Sequence, residues 1–580
     1  MCGIFALLNY NNNDTDTIYE EFMKGQNRGP EFSKLDNRFM KMILGFHRLA
    51  INGLNDESNQ PLVINDVILI CNGEIYNYKQ LYKHMDIEPK TGSDCEVIIH
   101  LYLKYGIEQT LTMLDGVYAF VLYDNRISEN LSNKVFVARD PFGVRPLYYL
   151  KNQNNIHNLY SLYGFASELK CLEKIYNSNN YHYRIEQFQP GTYSIFNLSS
   201  KVQSLWEVEK ENIPYFIPSF SHSWLINNET ESIFVNNLWS RISSYLNAAV
   251  NKRCLTTERP IACLLSGGLD SSLIAALVNN YYKSQNLPNK LETYSIGLKG
   301  SEDLRYARIV ADYLETKHVE IIVTEEEMFD AIPEVIQAIE SYDTTTVRAS
   351  IGNYLLGKYI STHSEAKVIF NGDGSDELLG GYLYMNKCPD DIEFDKETRR
   401  LLKDIHLFDV LRSDKSISSH GLEPRTPFLD RSFVNFILSI PTHFRNHKNY
   451  ISTSVEGCLE KYILRKSFAE YNFRDHNERQ ILPDSILWRK KEAFSDGVSS
   501  HGRSLYQILQ EKIAEKLNSG QDNEYITFEA DINTEKMYYK DIFDKAYPNC
   551  SHILPYFWMP KYTNAIDPSA RTLDIYEKTL

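Results

Sequence analysis

Hydrophobic and polar positions alternate in different ways along this chain. In the first 200 residues the apolar positions gather in short runs such as 67–70 and 117–123, which predict strands. A helical pattern resumes near Ile233, with Leu238, Ile242, Leu246 and Val250 on one face. Strand and helix patterns then take turns. Residues 261–265 form a wholly apolar run, as in a strand buried on both faces, and apolar residues crowd from Leu273 as in a buried helix. Residues 291–298, 319–323 and 367–370 predict further strands, and 303–314 a helix with Leu304, Ala307, Ala311 and Leu314 inward. Alternation at this spacing predicts a parallel doubly wound sheet. Between the two patterned parts, 199–231 reads as a connector carrying Pro214 and Pro218.

Ligands of such sheets sit beyond the carboxyl ends of the strands, and the unusual strings lie there. Ser266-Gly267-Gly268-Leu269-Asp270-Ser271-Ser272 follows the 261–265 run. Two glycines let backbone amides approach an anion, and a serine-capped helix N-terminus points its amides at the same place. No Gly-Lys-Ser/Thr follows, so this is not a Walker loop, and a plain strand-to-helix turn is the bland alternative. Asn371-Gly372-Asp373-Gly374-Ser375-Asp376-Glu377 follows the 367–370 strand. Taken alone it is an acidic surface turn.

Composition narrows the class. A chain of 580 residues holds two or three domains. Apolar content of 43% and charged content of 24% are those of a soluble globular protein. No apolar run is long enough to span a bilayer, no signal peptide is visible, and a net charge of −15 argues against a phosphate-backbone binder. Nine cysteines without a CxxC pair read as reduced thiols of a cytoplasmic protein.

Cys2 follows Met1, and its small side chain permits removal of that methionine. Its free α-amine, with a pKa near about 7.7–8, then serves as general base for its own thiol. Cys2 alone means only the start of a strand. It is followed in order by His47-Arg48-Leu49-Ala50-Ile51, Cys71-Asn72-Gly73-Glu74-Ile75-Tyr76-Asn77, Thr91-Gly92-Ser93-Asp94-Cys95-Glu96, Gly116-Val117-Tyr118-Ala119-Phe120 and Ala138-Arg139-Asp140-Pro141-Phe142-Gly143-Val144-Arg145. This series resembles the class II glutamine amidotransferase domain, an N-terminal-nucleophile hydrolase with two stacked antiparallel sheets between helices. The resemblance implies that Cys2 attacks the glutamine side-chain amide and releases ammonia. It implies an oxyanion hole from Asn72 and the Gly73 N–H, Arg48 on the α-carboxylate, Glu74 and Asp94 on the α-ammonium, and a binding segment Arg48, Leu49, Ala50, Ile51 and Asn52.

The SGGLDSS string resembles the pyrophosphate loop of ATP pyrophosphatases, which split ATP into AMP and pyrophosphate while adenylating an acceptor. With Ser341 to Ser350, Gly381-Tyr382-Leu383-Tyr384, Glu423 to Asp430 and Glu492 to Gly497, the chain resembles glutamine-dependent (class B) asparagine synthetases over nearly its full length. That implies aspartate, ATP and glutamine as substrates, a β-aspartyl-AMP intermediate, and asparagine, AMP, pyrophosphate and glutamate as products. By the family pattern Leu264, Ser266, Gly267, Gly268, Asp270, Ser271, Ile296, Asn371, Gly372 and Lys491 contact ATP. Asp373 is catalytic, and Arg348 and Asp376 are candidates for the aspartate site. ATP arrives with Mg²⁺, with no tightly bound metal or organic cofactor expected, no nucleic-acid or membrane partner, and a homodimer as the candidate assembly. The expected layout is an amidotransferase domain at 2–200, a connector at 201–232, a synthetase domain at 233–525 and an extension at 526–580.

Two departures stand out. The family usually has Ser-Gly-Glu-Gly where this chain has Asn371-Gly372-Asp373-Gly374, and Pro424 replaces other residues before Arg425. GMP and NAD synthetases carry different glutaminases, and β-lactam synthetases lack the N-terminal cysteine. A non-catalytic relative is the rival of another class. Intact Cys2, Arg48, Asn72, Asp94 and SGGLDSS oppose it.

Overall fold

The computed structural model describes residues 2–10, 15–126, 133–152, 161–178, 183–199, 204–218, 228–450, 459–469, 472–499, 502–519, 527–574 and 576. Met1, and the stretches 201–203 and 219–227 of the expected connector, lie outside the described residues.

The N-terminal part holds two six-stranded sheets. One runs in the order Tyr183–Gln187, Tyr148–Asn152, Tyr163–Ala166, Gly3–Leu8, Met42–Arg48, Phe32–Phe39. The other runs Leu205–Pro214, Thr192–Ser199, Lys134–Arg139, Gly116–Asp124, Val67–Ile75, Leu62–Ile64. All registered pairs in both sheets are antiparallel. Period-two alternation decides their packing. Ile4, Ala6 and Leu8 face Ile70, Val121 and Val137 between the sheets, whereas Phe5 and Leu7 face outward against Phe22 of the Thr15–Met23 helix. The helices Tyr78–Met85 and Val97–Met113 cover the other outer face through Leu81, Ile98 and Leu101. This is the expected αββα sandwich.

The first domain runs further than expected. Leu205–Pro214, inside the expected connector, is the edge strand of the second sheet. Only Leu205 and Trp206 are buried along it. An edge strand with one covered end carries no alternation to read. The next helix, Asn228–Leu255, begins before Ile233.

The second domain is a five-stranded parallel sheet in the order Lys317–Val323, Glu292–Leu298, Ile261–Leu264, Val368–Phe370, Glu423–Arg425. The chain builds outward from Ile261–Leu264 in one direction, then returns to add strands on its other side. The topological switch point therefore falls between Ile261–Leu264 and Val368–Phe370, where the crevice of such a fold opens. Glu423–Arg425 was not expected as a strand. Pro424 is tolerated there because this is the sheet edge, with the ladder carried by Glu423 N to Lys367 O and Asn371 N to Arg425 O.

The two domains share a core. Leu49, Ile51, Tyr76, Phe142 and Val144 pack in one cluster with Leu238, Leu246, Ile261 and Leu273. The 526–580 extension packs back on the second domain, with Tyr539 and Phe543 of the Ile532–Ala546 helix in the same cluster as Ile336, Val347 and Ile351.

Candidate active sites

Cys2 stands at the start of the Gly3–Leu8 strand, beside the Val67–Ile75 strand of the facing sheet. Its backbone nitrogen lies 3.3 Å from Asn72 Oδ1, and its Sγ lies 3.7 Å from Leu49 O. Burial pushes the thiol up to about 11, so it needs a nearby base to become a nucleophile. Asn72 Nδ2 is turned to Ser167 Oγ at 3.4 Å, which also accepts Ile4 N–H at 3.1 Å. Gly73 is required by close packing: a Cβ would lie 2.6 Å from Val117 O and 2.7 Å from Tyr118 Cβ.

The Arg48 guanidinium is aimed by Asn55 O at 2.8 Å, Asn59 Oδ1 at 2.7 Å and Gly53 O. Glu74 and Asp94 are both buried. Burial raises the Glu74 carboxyl, and Asp94 and Glu423 raise it further. Burial pushes Asp94 up to about 6 against the Ile75 N–H it accepts at 2.6 Å. A buried acid pair whose charge is disfavoured in this way is a place suited to a cation. Asn52 Nδ2 reaches Glu74 Oε2 at 2.8 Å and Thr256 O of the second domain at 3.2 Å. Arg425, from the Glu423–Arg425 strand, closes in with Nη2 3.4 Å from Glu74 Oε2. Neighbouring second-domain residues hold the binding segment: Ile51 O accepts Glu258 N–H at 3.0 Å and Ala50 O accepts Arg259 Nε at 2.8 Å.

The second site is a cavity of about 210 Å³ at the switch point, lined by Leu264, Ser266, Gly268, Asp270, Ser271, Ile296, Asn371, Gly372, Asp373, Asp376 and Lys491 among others. These expected residues are far apart in sequence and meet here. Gly267, at φ +70°, lies beneath the loop, where a Cβ would meet the Tyr306 and Ala307 backbone at 2.5 Å. Ser271 Oγ accepts Ser266 N–H at 3.2 Å, folding the loop around the start of the Leu269–Ser284 helix. A Cβ on Gly372 would lie 2.8 Å from Ser271 N, so the 371–377 segment rests directly on that loop.

The cavity is strongly charged. Lys461 Nζ lies 2.5 Å from both Asp270 Oδ2 and Asp376 Oδ1, and Lys491 Nζ lies 2.6 Å from Asp376 Oδ2. Burial raises Asp376, but the two lysines outweigh it and hold the carboxyl well below its usual range. Arg412 Nη2 is 3.2 Å from Asp373 Oδ1 and 2.8 Å from Asp409 Oδ1. Burial raises the Asp373 carboxyl, Arg412 opposes it and Asp409 adds to it. Burial and then Asp409 and Asp376 raise Glu377.

Arg348 is not brought to this cavity. Its guanidinium is buried against Glu535 (Nε to Oε1, 2.8 Å) and Asp567 (Nη1 to Oδ1, 2.8 Å) of the extension. Both carboxylates also accept Gln510 Nε2 at 3.0 Å. The alternation of Arg with small and hydroxyl residues in 344–350 gave no sign of which way it points. Conversely Lys461, Arg412 and Asp409 line the cavity and were not singled out. Lys461 opens a basic stretch, Lys461-Tyr462-Ile463-Leu464-Arg465-Lys466, with the look of an ordinary amphipathic helix start.

The Cys2 strand beside a buried acid pair, joined to a charged crevice at the switch point of a parallel sheet, fits a glutamine amidotransferase domain coupled to an α/β domain of the asparagine synthase class. The sequence profile of the glutamine amidotransferase domain matches residues 1–210, and that of asparagine synthase matches 241–392 and 386–563. The chain is 41% identical to the glutamine-hydrolysing asparagine synthetase of Gallus gallus and 38% identical to that of Homo sapiens, over 100% of both chains in each case. This chain belongs to the family of glutamine-hydrolysing asparagine synthetases.

Proposed function

We propose that this chain makes asparagine from aspartate, ATP and glutamine, releasing AMP, pyrophosphate and glutamate. The observation that supports it most is the meeting of Ser266–Ser271, Asn371–Asp376 and Lys491 in one cavity, on a chain that also carries the Cys2 site.

In the first half-reaction the Cys2 thiol gives its proton to its own α-amine, freed once Met1 is removed, and attacks the glutamine amide. Asn72 and the Gly73 N–H receive the oxyanion. Arg48 holds the α-carboxylate, and Glu74 and Asp94 take the α-ammonium, which draws both acids into the charged form. Leu49, Ala50, Ile51 and Asn52 form the wall of that pocket.

In the second, Ser266, Gly267, Gly268, Asp270 and Ser271 bind the β,γ-phosphates, Leu264, Ile296, Asn371 and Gly372 the rest of ATP, and Lys461 and Lys491 the charge of departing pyrophosphate. Aspartate attacks the α-phosphorus through its side-chain carboxylate, giving β-aspartyl-AMP, and ammonia then displaces AMP. Asp373 takes a proton from the incoming amine. Of the three arginines lining this cavity, Arg412, Arg465 and Arg489, we assign Arg412, which lies beside Asp373, to the aspartate substrate in place of Arg348.

Mg²⁺ fits the donor set. Asp270 and Asp376 offer hard oxygens that now share the Lys461 ammonium, each at 2.5 Å. When bound there the ion neutralises phosphate charge. No helix among the described residues is long and apolar enough to cross a membrane; a cytoplasmic home and a homodimer complete the proposal. Product analysis with aspartate, ATP, Mg²⁺ and glutamine tests it: AMP, pyrophosphate and asparagine in equal amounts are expected, and ADP with phosphate would overturn it.

A further inference from the structure

The helix Asp409–Ser418 touches both sites with successive residues. Arg412 meets Asp373 at 3.2 Å, and Ser413 Oγ accepts Asn371 Nδ2 at 2.5 Å. The very next residue, Asp414, accepts Arg28 Nη1 at 2.7 Å, and Ser418, one turn on, accepts the same nitrogen at 2.9 Å. Arg28 Nε in turn donates to the backbone carbonyl of Cys2 at 3.0 Å. Ser413, Asp414, Ser418 and Arg28 are all buried. Successive helical residues lie about 1.5 Å apart along the axis and point about 100° apart, so one rigid turn meets the synthetase loop on one side and, on the other, Arg28, which it shares with Glu168 at 2.7 Å and which holds the Cys2 carbonyl.

From this we infer that Asp414 is a positioning residue for Cys2, and that the Asp409–Ser418 helix links occupancy of the ATP cavity to occupancy of the glutamine site. The inference rests on the proposed assignment of the two sites. A ligand that alters how Asn371 and Asp373 hold the helix alters how Asp414 holds Arg28. Asn371 and Asp373 are also the two positions where this chain departs from the Ser-Gly-Glu-Gly pattern. Both departures are taken up by this helix: the longer Asn371 arm reaches Ser413, and the shorter Asp373 arm is met by Arg412. Linkage makes this coupling measurable from either end, because each ligand must change the other's affinity by the same factor.

The test uses the full chain carrying Cys2→Ala, which binds glutamine without hydrolysing it and keeps the residue 2 carbonyl. The dissociation constant of Mg-ATP is measured by calorimetry without and with saturating glutamine. Glutamine is expected to change it by about fivefold or more. Adding Asp414→Asn should bring the ratio close to one. Ser418→Ala, which deletes one hydroxyl, should bring it partway. A ratio of one in the parent, or an unchanged ratio in Asp414→Asn, would overturn the inference. If Asp414→Asn does not fold by thermal melting, Ser418→Ala decides, and an unchanged ratio there overturns it. Failure of ATP to bind the parent at all would instead overturn the assignment of the ATP cavity.

Discussion

Lys491 Nζ lies 2.6 Å from Asp376 Oδ2, joining segments 115 residues apart in sequence. Lys461 bridges the same aspartate to Asp270. Each charge thus has a partner before any nucleotide arrives, which keeps a buried site from carrying unpaired ions. Under the proposed assignment, bound Mg-ATP would take the carboxylates as metal donors and the lysines as phosphate partners. Lys461→Met and Lys491→Met are each expected to lower ATP–pyrophosphate exchange about 10²-fold, the scale of losing one preorganised charge. Glutamine hydrolysis should persist. Exchange within a few-fold of the unmodified chain would remove that lysine from the phosphate site.

Cys2→Ala should abolish glutamine hydrolysis and leave ammonia-dependent asparagine synthesis largely intact, since the synthetase cavity is built from other residues. A chain extended ahead of Cys2 should behave in the same way, because a peptide bond removes the basic amine while burial holds the thiol near about 11. Retained glutaminase in either chain would falsify the assignment.

Asp94 carries a pH signature. Its folded-state carboxyl stands at about 6, above its ordinary 3.8. The folded state therefore holds more protons than the unfolded state between these values, and stability falls as pH rises through that window. Above it the cost is fully present, roughly 3 kcal/mol at about 1.4 kcal/mol per unit. Asp94→Asn is expected to melt at the same temperature or higher at pH 7.5, since an amide oxygen can still accept the Ile75 N–H. Its glutamine KM should nevertheless rise at least about tenfold, the α-ammonium having lost a charged partner. In the unmodified chain glutamine KM should rise as pH drops below about 6. A flat profile, or an Asp94→Asn chain with normal KM, would show that the acid pair does not hold the ammonium.

Asp373→Asn should lower synthesis about 10²-fold or more while glutamine hydrolysis continues, as for loss of a proton-transferring group. Asp373→Glu alone should bring no gain, because Arg412 and the Asn371–Ser413 contact fix the loop around the shorter residue. A rate for Asp373→Asn close to the unmodified chain would make the carboxylate structural. A large gain in Asp373→Glu would mark the natural chain as a weakened synthetase.

Arg348→Met should act on stability rather than on aspartate binding. It leaves Glu535 and Asp567 buried without their cation, a loss of about 3–5 kcal/mol for breaking one side of a buried pair. A lowered melting temperature with aspartate KM unchanged is expected. An unchanged melting temperature with a raised KM would return Arg348 to the aspartate site.

Short apolar runs marked strands, and the later alternation of strand and helix marked a parallel sheet, because periodicity is a local property of consecutive residues; the αββα sandwich was implied by the resemblance to glutamine amidotransferases. Cys2, Asn72-Gly73, SGGLDSS and Asn371 to Glu377 were legible for a related reason. Each is a compact string of unusual residue types that the family resemblance could be read from, although the crowding that requires Gly73 and Gly372 comes from Val117–Tyr118 and Asp270–Ser271, far away in sequence. Partnerships across long separations came from the three-dimensional packing alone. Leu205–Pro214 is a strand because a sheet edge was there to receive it, and nothing in its own pattern demanded that. Arg348 and Lys461 look equally available in sequence. One is sealed against the extension and the other is drawn between two aspartates. The direction of a long charged side chain is set by which opposite charge the fold places within about 4 Å, and that distance is written in no single segment. The same holds for Ser413 and Asp414, adjacent in sequence, which the fold sends to two different sites.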